Sequence, residues 1–553
     1  MIEQLDLDQI QDVAQAKRAI VGLLNLVEEL QTTMCALQTE VQHLRDENNR
    51  LKGEQGKPDI KPNRRSKPPG TDQNHSSEAE RRKPQGWRKG GKLAEIPIDR
   101  EAVLKVDPAH LPPDAEFKGY EDVVVQDIVI RTANVLFRKE KYYSPSERRT
   151  YLAPLPPGYA GQFGPGIKAL ALVQYFGCNM AEPKIREFFA NVGIQLSAGE
   201  LSNWLIKDWP ELHAEKDAIY EAGLRSGPWQ HLDDTATRVN GQNEHCHVMC
   251  NPLYTAYLTT ARKDRLTIVD VLRNLGPRTF RLNAEAIGFL HIFGLAQRTV
   301  RILQALPQDQ DWTEAEFTAL LAEHLPRLGP QHRSRIMEAA AIAAYHAQLE
   351  FPVVKLLVCD DAPQFKWVTE QLALCWIHEG RHYKKLAPSS APFRRVLAEH
   401  TKQFWAYYDE LLAYRQQPSA DEKARLATKF DTLFATVTGY RALDERIQKT
   451  KLKKASLLLI LDHPEIPLHN NPAELGARQR VRKRDVSFGP RTPDGAKAWD
   501  TFMTLAATAK KLGVSFYHYI QDRVSGAYEL PALADTITQR AAELSLGASW
   551  EPT

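Results

Sequence analysis

The sequence predicts a multidomain protein of the α/β plus α class, and three observations carry that expectation. At 553 residues the chain is too long for one hydrophobic core, so three or four folded units are expected. A seven-residue apolar repeat marks the N-terminal segment as one long helix. Two apolar runs, Trp229–Asp234 and Val353–Asp361, end in paired aspartates and are separated by helical patterns, as buried strands with polar tips would be.

In residues 1–51, Leu23, Leu30, Leu37, Leu44 and Leu51 recur every seven residues, and Val13, Ile20, Val27, Met34 and Val41 follow the same step with Asn48 next. That is an a/d seam with leucine at d, which favours a parallel two-stranded coil and so a homodimer or higher assembly. A helix packed on its own domain would share part of this pattern, but the sustained heptads favour the coil. Residues 52–94 change abruptly to Gly, Pro, Lys and Arg, which predicts a flexible basic linker, able to track phosphates or to act as a solvated spacer. Residues 95–160 predict a small β-rich domain, with Val123–Val125, Ile128–Ile130 and Val135–Phe137 as strands.

Residues 161–225 carry three short helical patterns at about 166–177, 182–191 and 198–208, with Gly193 as a break and Ser197 with Glu200 as a capping box. They predict a helix-turn-helix-like DNA-binding unit, although any small three-helix bundle would look the same. Residues 226–525 predict the α/β domain. Its strands would be Trp229–Asp234, His245–Cys250, Leu258–Ala261 and Val353–Cys359, with a helical insertion at about 281–350. Residues 526–553 predict a weak helix and a tail.

Composition narrows the function classes. With 43% apolar and 25% charged residues, neither general disorder nor a membrane class is indicated. The net charge of +3 alone does not suggest nucleic acid, but the positive charge is concentrated in a few segments. The acidic start Met-Ile-Glu-Gln-Leu-Asp is not a secretory signal, and the apolar run Leu457–Leu461 is far short of the roughly 20 residues that span a bilayer. Six scattered cysteines form no disulfide framework. A cytoplasmic, nucleoid-associated protein without a membrane partner is expected.

Asp233 and Asp360 end strand-like runs, and Glu474 opens a helical segment. Distant strand-end aspartates and one helical acid can assemble a site for hard divalent cations, which activate water and stabilise a leaving oxygen. Each acid also has an ordinary explanation. Strand-end aspartates cap loops, Asp234 and Asp361 are equally acidic, and Asn471-Pro-Ala-Glu474 reads as an N-cap with its capping-box glutamate. His245, Cys246, His247 and Cys250 alternate in facing along a strand, so packing is favoured over a metal cluster. His378, Arg381 and His382 share one helical face, either supporting a site or forming a structural hydrogen-bonding face.

The surrounding words narrow the choice. His231-Leu-Asp-Asp-Thr235 with Arg238-Val-Asn-Gly241, Val358-Cys-Asp-Asp361, Cys375-Trp-Ile-His-Glu-Gly-Arg-His-Tyr383, and Asn470-Asn-Pro-Ala-Glu474 with Arg478 resemble, in order, transposases of insertion-sequence family 66. Gly495, Thr508–Val514 and Tyr517–Tyr519 resemble that family's closing helices. The resemblance implies a ribonuclease-H-like D-D-E catalytic domain with Asp233, Asp360 and Glu474 as catalytic and metal-binding residues. It implies two Mg2+ ions, with Mn2+ as a substitute, and double-stranded DNA as substrate, both transposon ends and target, with small companion proteins as further partners. The expected activity is cleavage at transposon ends and strand transfer. The alternatives are a non-catalytic DNA-binding regulator or a diverged, inactive transposase.

Beside such a site, His378, Arg381, His382 and Asn471 become candidates for catalytic support or DNA contact. Arg478, Arg480, Arg482, Lys483 and Arg484 become candidate DNA-backbone contacts, although a run of charge is ordinarily a solvated face. The chain departs from the family where a cysteine-rich zinc element is usual: residues 95–165 hold no cysteine, so no zinc is expected there. His469 also stands where Asp is common, and Leu475 where Arg is common.

Overall fold

A computed structural model describes residues 12–51, 96–159, 161–207 and 209–544. The apolar repeat forms a single helix, α1 (Val13–Leu51). Its seam is open to solvent, with Val13 71%, Leu30 61% and Leu44 57% exposed. Another face touches the body of the protein. Val21 and Leu24 pack on an aromatic core, while Asn25 donates to the Gly439 carbonyl at 2.9 Å and accepts the Arg441 N–H at 3.0 Å. Glu28 accepts the Ser389 and Ser390 N–H groups, and Glu29 pairs with Arg441. With Ile20 at a and Leu23 at d, these docking residues occupy b, c, e and f, so the a/d seam stays unused. By length and apolarity α1 could cross a membrane, yet Glu28 and Glu29 near its middle bind polar groups of the same chain. The basic linker lies outside the described residues.

Residues 96–140 contain one 3-10 turn, Pro108–His110, and no strand. The expected strands at 123–125, 128–130 and 135–137 are irregular chain, with Val125 and Ile128 each 79% exposed. β-branched runs satisfy local propensity, but a strand also needs a partner edge and a buried face. The β-rich expectation is corrected to one antiparallel hairpin, β1 (Lys141–Ser144) and β2 (Arg149–Leu152).

The helical unit follows: α2 (Pro165–Leu172) continuing into a π-helical turn at Val173–Gly177, α3 (Glu182–Asn191), α4 (Ala198–Ile206) and α5 (Pro210–Arg225). Ser197 caps α4 by accepting the Glu200 N–H at 3.1 Å, but the Glu200 carboxylate accepts Trp204 Nε1–H at 2.9 Å, so the box is half made. Leu201, Trp204 and Leu205 belong to the same continuous core as the central sheet. The unit is packed into the main body rather than set apart as its own bundle.

β3 (Trp229–Val239), β4 (Gln242–Cys250) and β5 (Thr255–Thr260) form an antiparallel meander. After α6 (Arg265–Leu272) come β6 (Thr279–Arg281), α7 (Ala284–Ile292), α8 (Gln297–Gln304), β7 (Asp311–Thr313), α9 (Glu314–His324) and α10 (Pro330–Ala347). The expected helical insertion therefore also holds a two-stranded ribbon, β6 with β7, whose Phe280 stacks on Phe317 at 5.1 Å. The chain then returns to the sheet as β8 (Leu356–Cys359) and β9 (Gln371–Leu374), both parallel to β3, giving the order β5-β4-β3-β8-β9. Leu357 and Cys359 join one core, while Leu356 and Val358 join the other. The period-two alternation of a strand thus makes β8 the wall between two apolar layers.

The second layer is α11 (Trp376–Lys385), α12 (Ala391–Gln416), α13 (Ala420–Leu433), α14 (Arg441–Lys451) and α15 (Lys454–Leu457), packed around fully buried Trp376. The chain ends in α16 (Asn471–Ser487), α17 (Pro493–Leu512), α18 (Phe516–Ser525) and α19 (Leu533–Glu543). α17 covers the edge strand β5. Asp500, Thr504 and Thr508 accept the N–H groups of Thr259, Tyr257 and Thr255 at 2.7, 3.0 and 3.2 Å. Four helical residues rise about 6 Å and two strand residues about 6.8 Å, so the two ladders nearly match and the open edge is satisfied. α19, expected to be a weak helix, buries Leu533 and Ile537 and packs against α5.

Candidate functional site

The parallel pairing of β3 with β8 sets Trp229 opposite Leu356 and His231 opposite Val358. Continued two residues, that register brings Asp233 level with Asp360, which follows directly on β8. Asp233 also lies opposite Val248 of β4, and α16 crosses this face. A Cβ on Gly476 would stand 2.6 Å from Val248 Cγ1, so only glycine permits the approach. Glu474, two residues earlier on the helix, is thereby brought near enough to Asp233 to raise its carboxyl.

Burial, then Asp360, push the Asp233 carboxyl up to about 7, with Glu474 and Asp234 adding to the rise and the Asp234 N–H opposing it. Burial also raises Asp360, against the Ala362 N–H at 3.0 Å and the nearby His378. The neighbouring acids stand in a different setting. Asp234 pairs with Lys263 at 3.1 Å and accepts Gln364 Nε2–H at 2.9 Å. Asp361 pairs with Lys453 at 2.6 Å and Lys366 at 3.2 Å, and those bonds and charges outweigh its burial and lower its carboxyl. Within each pair, then, one acid has lysine partners while the other faces further acid.

Glu474 is 8% exposed. Its Oε2 accepts Arg381 Nη2–H at 3.2 Å and lies 3.6 Å from Arg478. Arg381 Nη1 donates to His378 Nε2 at 3.0 Å, so the proton of a neutral His378 sits on Nδ1, which faces Glu474 Oε1 at 3.7 Å. Both Glu474 Oε1 and His378 Nδ1 are buried without a hydrogen-bond partner. The orphaned Glu474 oxygen and the raised carboxyls of Asp233 and Asp360 are hard oxygen donors, the kind a divalent cation of the magnesium type takes. Cys375, His378 and Glu474 also offer ligand atoms within 4.8 Å of one another. Burial pushes the Cys375 thiol up to about 12, and its sulfur accepts the Asn470 N–H at 3.3 Å. At neutral pH it is a protonated structural thiol, poorly suited to hold a metal as thiolate.

The remaining candidates divide. His382 turns to another group, responding to burial and then to Arg446, Glu379 and Lys453. Asn471 begins α16 and is partly buried; the cap position belongs to Asn470, with no side-chain cap bond, so the expected capping box with Glu474 is not made. Arg478 and Arg482 are exposed. Arg484 is partly buried and donates to the Ala236 carbonyl at 2.5 Å. Arg480 and Lys483 are interior, which corrects their assignment as surface DNA contacts. Arg480, 1% exposed, pairs with Asp500 at 3.2 Å, donates to Thr259 at 2.9 Å and lies over the Trp499 ring. Lys483, fully buried, donates to the Tyr175 carbonyl with its ammonium 3.1 Å from the Tyr175 ring centre. Burial lowers its pKa to about 7.

Two further residues place the acids. Asn470, fully buried, donates to the Leu232 carbonyl at 2.8 Å and accepts His231 Nδ1–H at 2.9 Å. Burial lowers His231 to about 3, so the ring is the neutral donor this bond requires. The bridge ties the start of α16 to β3 next to Asp233. His231 and Asn470 open the first and last sequence motifs, and that position was their only signal. His245, Cys246, His247 and Cys250 lie on β4 as packing residues, with His247 Nε2 bonded to Thr260 at 2.8 Å.

Against known proteins, the family model described as "Transposase IS66 family" matches residues 160–276 and 336–498. The unmatched stretch between them, 277–335, holds β6, α7, α8, β7, α9 and the start of α10. A relative from Sinorhizobium fredii, the uncharacterized protein y4jO, is 31% identical over 309 residues, covering 55% of this chain and 94% of its own length.

Proposed function

Because this chain belongs to the Transposase IS66 family, we propose that it is a DNA transposase, cutting at the ends of a mobile element and joining the freed 3′-hydroxyl to target DNA. One observation carries the proposal: Asp360 at the end of β8 and Glu474 on α16 both raise the carboxyl of Asp233 on β3, while Asp234 and Asp361 are paired with lysines. The sheet order, three antiparallel strands continued on the β3 side by two parallel ones, supports a ribonuclease-H-like class for this domain.

Asp233, Asp360 and Glu474 would hold Mg2+ or Mn2+. Two such ions supply an activated nucleophile and a stabilised leaving oxygen for in-line displacement at phosphorus. The chain's own groups do the positioning. β3 and β8 hold the aspartates at fixed register, Asn470 and Gly476 set the depth of α16, and Arg381 fixes one oxygen of Glu474 while the other lies beside His378. Burial and the neighbouring acids favour the protonated form of Asp233. Arg478 and Arg482 follow Glu474 at four-residue steps on one helix face and supply positive charge for the DNA backbone. The open seam of α1 pairs with that of a second copy.

The test is strand transfer by the full-length protein on a supercoiled plasmid carrying the terminal repeats that flank its coding region. The expected result is cut and joined product in Mg2+ or Mn2+ and none in chelator. Selective, salt-sensitive binding without strand breakage in either metal would instead identify a DNA-binding regulator.

A further inference from the structure

α16 ends on a bulky residue in a backbone conformation that usually falls to glycine. Phe488, its C-terminal cap, has φ 59° and ψ 10°, a left-handed conformation that glycine or asparagine adopts with less strain. Its side chain is 87% exposed. Two other aromatic residues share the positive φ, Trp367 and Tyr528. Each of those has a partner: Trp367 packs on Arg265 and Phe293, and Tyr528 on Arg523. Among the described residues Phe488 has no ring or guanidinium against it. A left-handed backbone at a bulky residue costs stability, and such strain is found where a position is used for binding.

The turn that carries Phe488 is held firmly. The Asn240 N–H donates to the Pro490 carbonyl at 3.1 Å, and Gly489 is so close to the β3–β4 hairpin that a Cβ would meet the Arg238 carbonyl at 2.8 Å. One turn earlier, Arg484 bonds the Ala236 carbonyl of the same hairpin. The surroundings are basic: Arg478 and Arg482 are exposed along α16, and Arg238 and Arg491 are exposed beside the turn, against Asp485 and Asp494. Phe488 lies fourteen residues after Glu474, about 21 Å along the axis at 1.5 Å per residue. That is on the order of six base steps of duplex DNA at 3.4 Å each.

We propose that Phe488 is a base-contacting wedge: the arginines of α16 track one DNA strand from the cleavage site, and the Phe488 ring enters or stacks on a base step about six pairs away. The proposal rests on the transposase reading for its ligand, duplex DNA, and adds the residue that distorts it. An apolar ring carried on a firmly held turn within a cationic strip suits a base stack flanked by phosphates, where phosphates alone would need no ring.

The experiment uses full-length protein and duplexes carrying the terminal repeats, with 2-aminopurine at successive positions, beside a random duplex of equal length. Wild type is expected to raise the fluorescence at one step, roughly six pairs from the cut. Phe488→Gly and Phe488→Ala should abolish that rise and weaken repeat binding about 5- to 100-fold with the salt slope kept, while Phe488→Trp retains both. Phe488→Gly removes the left-handed strain, so its melting temperature should equal or exceed the wild-type value, which separates the DNA effect from misfolding. No fluorescence rise at any position, or equal rise and affinity in Phe488→Gly, overturns the wedge. Absence of metal-dependent cutting by wild type would count against the transposase reading alone, since the fluorescence is read without cleavage.

Discussion

At the scale of single residues, the distinction that matters most is between neighbours in sequence. Asp233 and Asp234 point to opposite faces of one strand, so alternation separates them but cannot say which face holds the other acids. That choice needs the β8 register and the lysines at positions 263 and 453, which no local pattern reveals. The basic run after Glu474 carries a buried face in its spacing. Ala473, Gly476, Ala477, Arg480 and Lys483 recur at three- and four-residue spacing, which is a buried face, with two cations on it that Asp500, Trp499 and Tyr175 accommodate. Two substitutions therefore diverge. Arg480→Ala leaves Asp500 buried without its cation and should destabilise the protein by about 3–5 kcal/mol, read as a lowered unfolding midpoint. Arg482→Ala should leave that midpoint unchanged and reduce the slope of log affinity against log salt by about 1. The acids predict a pH effect as well. Asp233 titrates near 7 in the folded chain against an ordinary 3.8, so the metal-free folded state binds the extra proton between these values. Stability in chelator should accordingly fall as pH rises from about 4 to about 7 and level off above, with Asp360 acting in the same direction. Thermal unfolding across this range should show a shallower fall in Asp233→Asn. An unchanged slope would contradict the crowding of these carboxylates.

At the scale of elements, periodicity named α1 to α4 and the strands β3, β4, β5 and β8. It failed between residues 96 and 140, where β-branched runs find no partner strand. It also missed the β6–β7 ribbon, three residues per strand, too short to display an alternation. The decisive contact for the site, α16 against β4, depends on the absence of a side chain at Gly476, which reads in sequence only as a weak point in a helix. Gly476→Ala should lift α16 from the sheet. The expected cost is about 1–3 kcal/mol in stability, together with a loss of cleavage well beyond what the fraction unfolded explains. Cleavage at the wild-type rate in a folded Gly476→Ala protein would show that the depth of α16 does not position Glu474.

At the scale of the whole molecule, α1 serves two surfaces. Its b, c, e and f positions dock on the helices that cover the second core, and its a and d positions remain free. The heptads were plain in the sequence; the docking was not, because Asn25, Glu28 and Glu29 look like ordinary surface residues until Gly439, Ser389 and Arg441 meet them. A paired seam would hold two catalytic bodies at a set separation. The wild type should sediment as a dimer, and Leu30→Asn with Leu37→Asn as a monomer without a shift in the unfolding of the main body; a monomeric wild type, or a dimer that survives both changes, would contradict pairing through the seam. The account as a whole stands on which aspartates work with Glu474. Its most direct test is the Mg2+-dependent cleavage rate of repeat-bearing DNA by Asp233→Asn and Asp234→Asn, each first shown to be folded and to bind that DNA. The expected result is loss of at least about three orders of magnitude in Asp233→Asn, because a displacement at phosphorus without its metal ligands loses the clamp on both reacting oxygens, and substantial activity in Asp234→Asn. Wild-type cleavage by Asp233→Asn, with loss in Asp234→Asn, would contradict it.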